Sequence, residues 1–215
     1  MSLKNKKDLH LSRKIIHMIP AFIFVIMYIN FFEYRNIMEN YIMKFFIVAI
    51  FLDFLRLDNI KLNNIFVKIF SKVMRTEELT KHSGVPPYMA SMTIISAFFP
   101  FEVIVLSLLF LSICDPMASL VGVSFRNNEY NIKFKNGKSL FGLMGALLSS
   151  FVITLIAGIF VFDWTFSLSF TVGILSGIVV SLSESFPFQG INDNILIPIF
   201  SAFFLIILLP ILGAI

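Results

Sequence analysis

Charge is scarce in this chain. Lysine, arginine, aspartate and glutamate together make up 14% of its 215 residues, whereas a soluble domain carries about 25%. Cysteine occurs once, at Cys114, which excludes an internal disulfide. Apolar residues are abundant instead: they make up 58% of the chain, phenylalanine occurs 27 times and the mean hydropathy is +0.90. This balance excludes an ordinary soluble domain and predicts an integral membrane protein.

The order of apolar stretches predicts an all-α, polytopic transmembrane helical bundle with about seven spans. We treat the whole chain, 1–215, as a single integral membrane domain. The predicted spans are 15–32, 41–57, 86–101, 103–123, 141–162, 166–183 and 195–212. Residues 86–123 are too many for one span, so we expect a tight turn near Pro100 and Glu102.

The basic residues predict the orientation of these spans. All of the 17 lysines and arginines except Arg35 and Lys44 lie on one side if the N-terminus is cytosolic. Residues 1–14 then form a basic cytosolic N-terminus, 58–85 a cytosolic or interfacial amphipathic segment, and 124–140 a cytosolic loop. Membrane topology and anionic lipid account for such basic flanks, so we expect no nucleic-acid partner.

Two polar groups at the cytosolic ends of the first two spans are candidate site residues, because a charge inside a bilayer costs about 2.5–3.5 kcal/mol. Arg13, Lys14 and His17 lie within one or two helical turns and are candidates for holding phosphates. Arg13 and Lys14 are alternatively ordinary basic flanks. Asp53 and Arg56 are spaced i, i+3, either as part of a site or as an ion pair at the helix end.

A third candidate is Asp115, which follows an apolar run and precedes Pro116 and several small residues. Proline frees a backbone carbonyl, so we expect a broken helix here. A carboxylate at such a break is suited to a divalent ion. The alternative is a structural polar pair with another span.

The remaining candidates flank the last three spans. Lys138 and Ser139 begin the fifth span, where a lysine and helix-terminal N–H groups can hold phosphate, although the full P-loop pattern is absent. Alternatively, they are a basic flank and a helix cap. Glu184, Asp193 and Asn194 border the last cytosolic loop, and oxygen ligands of this kind suit Mg²⁺. Otherwise they belong to a polar turn.

All of these groups fall on the basic side of the predicted topology. Acidic and basic side chains gathered where soluble nucleotides are available favour phosphoryl transfer, in which a metal bridges phosphate oxygens and a lysine or arginine neutralises developing charge. A transporter more often carries charge at the midplane, between two related halves, and the chain shows no such halves.

The order of the motifs RKIIH, LDFLR, DPMASLVG, KSLFG and ESFPFQGINDNILIP is similar to that of the CTP-dependent lipid-alcohol kinases. This family includes dolichol kinase, phytol kinase and CTP-dependent diacylglycerol kinase, and is distantly related to the phosphatidate cytidylyltransferases. The resemblance covers 13–198. It implies a Mg²⁺-dependent enzyme that moves the γ-phosphoryl group of CTP to the hydroxyl of a membrane lipid: a polyprenol, a phytol-like alcohol or diacylglycerol.

The resemblance also implies roles for individual residues. The implied catalytic residues are Asp115, Asp193 and Lys138, and the two aspartates are the candidates for a general base. The implied metal ligands are Asp115, Glu184 and Asp193. The implied nucleotide and phosphate ligands are Arg13, Lys14, His17, Arg56, Lys138, Ser139 and Asn194. Two residues depart from the family pattern: Cys114 stands in place of a glycine, and Asn192 in place of an aspartate.

Two other functions remain open from the sequence. One is a phosphatidate cytidylyltransferase that makes a CDP-activated lipid, and the other is a non-enzymatic transporter or assembly factor. In each case we expect a multi-pass protein of a bacterial cytoplasmic membrane or its equivalent. For an enzyme, the partners are CTP and a membrane lipid, and the site lies on the cytosolic face.

Overall fold

The computed structural model describes residues 11–71, 74, 76–134, 137–185 and 192–215. Nine α-helices lie within these ranges. They are α1 (Leu11–Asn30), α2 (Arg35–Asp58), α3 (Ile60–Phe70), α4 (Val85–Phe98), α5 (Phe101–Leu109), α6 (Asp115–Ser124), α7 (Leu140–Phe160), α8 (Phe166–Ser185) and α9 (Asp193–Ile211). The described residues form no sheet, only an isolated bridge between Lys133 and Ser139. The predicted all-α bundle is confirmed.

Five helical stretches of the described chain are long and apolar enough to cross a membrane. They are Arg13–Asn30, Phe101–Ser124, Leu140–Phe160, Phe166–Glu184 and Asp193–Ile211. The other two predicted spans fall on α2 and on α4, which has 14 residues. A helix of that length covers about 21 Å, less than a hydrocarbon core of about 30 Å. It therefore stays a prediction that α2 and α4 also cross the membrane, which would bring the number of spans to seven.

The centre of the bundle is α5, whose residues Val103 to Leu108 are all buried. It contacts α1, α4, α7 and α9. The predicted turn before it is confirmed, because α4 ends at Phe98 and α5 begins at Phe101. Pro100 is the N-cap of α5, a position where a missing N–H leaves no helical hydrogen bond unmade.

The predicted helix break at Asp115 is wrong. A π-helical turn, Phe110–Cys114, joins α5 to α6, so that the helix continues from Phe101 to Ser124. Pro116 cannot donate to the preceding turn, and a wider turn relieves the clash of its ring with that turn. Asp115 therefore lies in the membrane-crossing helix, directly after the π turn.

Close packing between α6 and α7 brings the start of α7 against the helix that carries Asp115. A β-carbon added to Gly142 would lie 3.0 Å from the Ala118 carbonyl oxygen, and one added to Gly122 would lie 3.0 Å from the Ser139 Oγ. Glycine permits this approach because it has no side chain. The small residues thus determine how near the Lys138–Ser139 segment lies to α6.

The loop between α6 and α7 is held by Asn131, which is buried. Its side-chain amide donates to the Phe125 carbonyl at 2.9 Å and accepts from the Phe141 N–H at 3.1 Å. One side chain thereby satisfies the C-terminal end of α6 and the N-terminal end of α7. Just before Lys138, Gly137 has φ 84°, in the left-handed region that glycine favours.

Candidate active site

Lys138 lies between two acidic side chains at one end of the bundle. Its Nζ donates to Glu184 Oε1 at 2.7 Å and to Asp193 Oδ2 at 2.9 Å. The three residues come from the loop before α7, the end of α8 and the start of α9. Lys138 therefore forms one ion cluster with two acids that lie 46 and 55 residues later in the chain.

Asp115 completes a group of three carboxylates. One oxygen from each of Asp115, Glu184 and Asp193 lies within 4.8 Å of the others. Glu184 is 5% exposed, and its Oε2 is buried without a hydrogen-bond partner. A buried, unpaired carboxylate oxygen beside two further carboxylates matches the hard oxygen ligands that Mg²⁺ prefers. The donor set therefore fits a divalent cation.

The acids keep Lys138 charged. Burial lowers the pKa of its ammonium, but the attraction of Glu184 and Asp193 outweighs burial and raises that pKa above its ordinary value. Lys138 is therefore a cation at neutral pH. A fixed positive charge among carboxylates can neutralise an incoming phosphate.

His17 connects this cluster to the rest of the polar end. Its Nε2 lies 2.9 Å from the Asn194 side-chain oxygen, and its Nδ1 lies 3.8 Å from Asp115 Oδ2. Asn194 donates through its amide nitrogen to the Gly84 carbonyl at 2.9 Å, which directs its oxygen toward His17. This network makes Nε2 the hydrogen-bond donor to Asn194 and turns Nδ1 toward Asp115.

Tyr88 determines where His17 lies. The Tyr88 hydroxyl donates to the His17 carbonyl at 2.8 Å and accepts from the Ala21 N–H at 3.1 Å. It bridges two backbone groups that a regular helix would pair directly, close to Pro20 inside α1. The rings of His17 and Tyr88 also pack edge to face at 4.6 Å. The first helix is therefore opened and held by a side chain of α4.

Arg13 pairs with Glu78, a residue 65 positions away. Its two terminal nitrogens donate to the two carboxylate oxygens at 2.9 and 2.8 Å, a bidentate arrangement. Lys14 is its neighbour on α1 and is half-buried. The predicted phosphate ligands of α1 thus lie at the same end of the bundle as the carboxylates.

The two helix caps at this end also include predicted site residues. Ser139 is the N-cap of α7 and accepts from the Gly142 N–H at 3.3 Å, and Asn192 caps α9 by accepting from the Asn194 N–H at 3.0 Å. The cap alternative for Ser139 is confirmed. Both helices direct their positive N-terminal ends toward the ion cluster, which favours anions there.

Arg56 is not brought into the carboxylate cluster. It is 1% exposed and pairs with Asp53 at 2.8 Å, as the ion-pair alternative proposed. Its other nitrogens donate to the backbone carbonyls of Glu78 and Lys81 at 2.7 and 2.8 Å. The predicted phosphate-binding role of Arg56 stays a prediction, and its described contacts are made within the protein.

Sequence reasoning missed four residues that the structure brings to this end: Glu78, Gly84, Tyr88 and Asn131. Glu78 lies in a polar segment among other charged residues, where no spacing distinguishes it. Tyr88 and Gly84 act through contacts with residues far away in sequence. The predicted stretch 183–198 lies partly outside the described residues, since 186–191 are not described. Six of the basic residues that predict the orientation also lie outside the described residues: Lys4, Lys6, Lys7, Lys72, Arg75 and Lys135.

Comparison with known proteins gives relatives by sequence. The chain is 29% identical over 152 residues to CTP-dependent diacylglycerol kinase 1 of Schizosaccharomyces pombe, covering 64% of this chain and 66% of the relative. It is 29% identical over 209 residues to the protein of that name from Eremothecium gossypii, covering 90% and 65%. An uncharacterized protein of Rickettsia prowazekii is 29% identical over 136 residues, covering 61% and 63%.

The chain thus spans slightly less than two thirds of the length of these relatives. No protein-family model matches it, and no solved structure matches it. The match to the second fungal kinase covers nine tenths of the chain. By sequence, the chain is similar to two fungal CTP-dependent diacylglycerol kinases.

Proposed function

We propose that the protein transfers the γ-phosphoryl group of CTP to the hydroxyl of a membrane lipid, with diacylglycerol as the first candidate acceptor. The carrying observation is the charged Lys138 held between Glu184 and Asp193, with Asp115 in the same cluster. The names of the two fungal relatives support CTP as donor and diacylglycerol as acceptor.

This geometry supports a role for each residue of the cluster. Asp115, Glu184 and Asp193 would hold Mg²⁺, which supplies charge neutralisation to the phosphates. Lys138, Arg13 and the N-terminal ends of α7 and α9 would bind phosphate oxygens. The lipid oxygen attacks the γ-phosphorus, the bond to CDP breaks, and the lipid proton passes to Asp115 or Asp193. The products are a phosphorylated lipid and CDP.

The topology belongs to the same proposal. The whole chain is one membrane domain, with 1–14, 58–85 and 124–140 on the cytosolic side. In support, Arg13, Glu78 and Lys138 all lie at the end of the bundle that carries the carboxylates. CTP would reach this end from the cytosol, while the acceptor arrives through the bilayer.

The test uses the purified protein in liposomes with Mg²⁺ and CTP labelled at the γ- or the α-phosphate. Diacylglycerol, a polyprenol, phytol and phosphatidic acid, the acceptor in cytidylyl transfer, are offered separately. We expect γ-label in one lipid. Label from the α-phosphate in lipid, with pyrophosphate release, would instead establish cytidylyl transfer, and no label in any lipid would exclude both reactions.

The chain offers a matched control for this assay. Asp115→Asn should reduce the rate by at least about 100-fold, because it removes a carboxylate that would hold the Mg²⁺ and so help to stabilise charge in the transition state. Asp163→Asn makes the same chemical change at an exposed residue beyond the other end of α7. Asp163 has φ 53°, which asparagine also tolerates, so this variant should keep wild-type activity. Equal rates for the two variants would refute the assigned site.

A further inference from the structure

Residues 78–84, which we name the strap, are held by side chains of α2 and α3. Arg56 donates to the Glu78 and Lys81 carbonyls at 2.7 and 2.8 Å. Asn63 donates to the Leu79 carbonyl at 2.8 Å. A segment without long regular structure thus has three of its backbone carbonyls, those of Glu78, Leu79 and Lys81, bound by side chains from outside.

The same holding set continues to the end of the strap. Asp53 accepts from the Ser83 N–H at 3.1 and 3.2 Å and lies 2.8 Å from His82 Nδ1. Asp53 also pairs with Arg56, and both side chains are buried, at 3% and 1% exposed. Buried charges that are fully hydrogen-bonded hold one geometry, because any other arrangement would leave a charge unpaired.

The strap in turn contacts two predicted phosphate-binding residues. Glu78 binds Arg13 through both carboxylate oxygens, and the Gly84 carbonyl accepts from the Asn194 amide. The approach at Gly84 is close: an added β-carbon would lie 3.2 Å from the Asn194 amide nitrogen and 3.4 Å from Arg13 Nη2. The position of the strap therefore determines where Arg13 and Asn194 lie.

We propose that the strap is a positioning element for nucleotide binding, and that Asp53, Arg56 and Asn63 are positioning residues that act through it. The Nε, Nη1 and Nη2 atoms of Arg56 all donate to oxygens of the protein. Arg56 therefore affects phosphate binding indirectly, through the strap and Arg13. The expected change in the KM for CTP rests on the proposed function, whereas the hold on the strap can be measured by hydrogen exchange without any activity.

Asn63 provides the mildest test, because Arg56 variants leave Asp53 buried without its partner and risk misfolding. Asn63→Ala releases the Leu79 carbonyl and one contact with Arg56. Asn64→Ala is the matched control, since Asn64 is the next residue of α3 and is exposed. We expect amide hydrogen exchange in 76–84 to be at least threefold faster in Asn63→Ala than in Asn64→Ala, with exchange in α5 and α7 unchanged.

The kinetic arm uses the full chain in liposomes with CTP and the accepted lipid. We expect Asn63→Ala to raise the KM for CTP at least threefold, with kcat within twofold of wild type. Glu78→Gln should raise the KM as well. The double variant should be no worse than the more affected single variant, because both changes loosen the same contact to Arg13.

The outcomes separate the two proposals. If wild type moves no phosphate from CTP, the proposed function fails, and hydrogen exchange still decides whether Asn63 holds the strap. Unchanged exchange in Asn63→Ala overturns the strap. Faster exchange with an unchanged KM, a fall in kcat alone, or single effects that multiply in the double variant would each overturn the positioning role. Faster exchange with the expected KM pattern supports it.

Discussion

Replacing Lys138 with methionine tests the ion cluster most directly. The change keeps most of the side-chain volume and removes the positive charge that lies 2.7 Å from Glu184 and 2.9 Å from Asp193. Three carboxylates with oxygens within 4.8 Å of one another would then lose the cation between two of them. Methionine should therefore destabilise the fold by electrostatic repulsion rather than by a cavity.

The magnitude follows from the exposure of the partners. Breaking a buried ion pair by removing one partner costs about 3–5 kcal/mol. Lys138 is 24% exposed and Asp193 35% exposed, so water screens part of the interaction. We therefore expect the lower end, about 3 kcal/mol, which corresponds to a fall in Tm of about 6–12 °C for a chain of this size. Removal of one charge-stabilising donor should also lower kcat by about 100-fold or more.

Thermal unfolding in detergent measures the stability, and the lipid kinase assay measures kcat. Lys133→Met is the control: Lys133 is exposed in the same loop, and a surface change of this kind costs about 0.5 kcal/mol or less. Adding Glu184→Gln to Lys138→Met removes the most buried of the three acids, so part of the lost stability should return while activity stays lost. A Lys138→Met melting temperature within 2 °C (about 0.5–1 kcal/mol) of the Lys133→Met value would refute the ion cluster.

Three further substitutions test how the fold builds the site. Gly142→Ala places a β-carbon 3.0 Å from a carbonyl of α6 and should lower the free energy of unfolding by about 1–3 kcal/mol. The control Met144→Ala, at an exposed residue of the same helix, should lower it by less. Equal losses for the two variants would show that α6 and α7 can move apart at no cost. Asn131→Ala leaves buried groups at two helix ends without partners and should cost about 1–3 kcal/mol in thermal unfolding; an unchanged Tm would contradict this capping role. Tyr88→Phe removes the hydroxyl that bridges α1; we expect a loss of about 1–3 kcal/mol together with a lower kcat, and wild-type kcat would show that His17 is positioned without it.

Residue type and order were enough to predict the class of the fold and the candidate acids. The apolar stretches predict the helices because a membrane leaves the backbone no partner but itself, and the predicted turn at Pro100 is where α4 and α5 separate. Asp115, Glu184 and Asp193 were selected because acids are rare at such positions, and the structure brings these three together.

Tertiary structure decided two things that the local sequence pattern does not show: the course of the helix at Asp115, and which residues distant in sequence become partners. A π turn keeps the helix continuous through Asp115, where proline alone predicts a break. Arg56 is a nearly inaccessible side chain that holds the strap, although its spacing fits a phosphate ligand equally well. Glu78 and Tyr88 contact Arg13 and His17 across 65 and 71 positions. Only the folded chain brings such distant residues into contact. The sequence by itself therefore determined which residues are costly to place in a membrane, and the tertiary structure determined which partners stabilise them there.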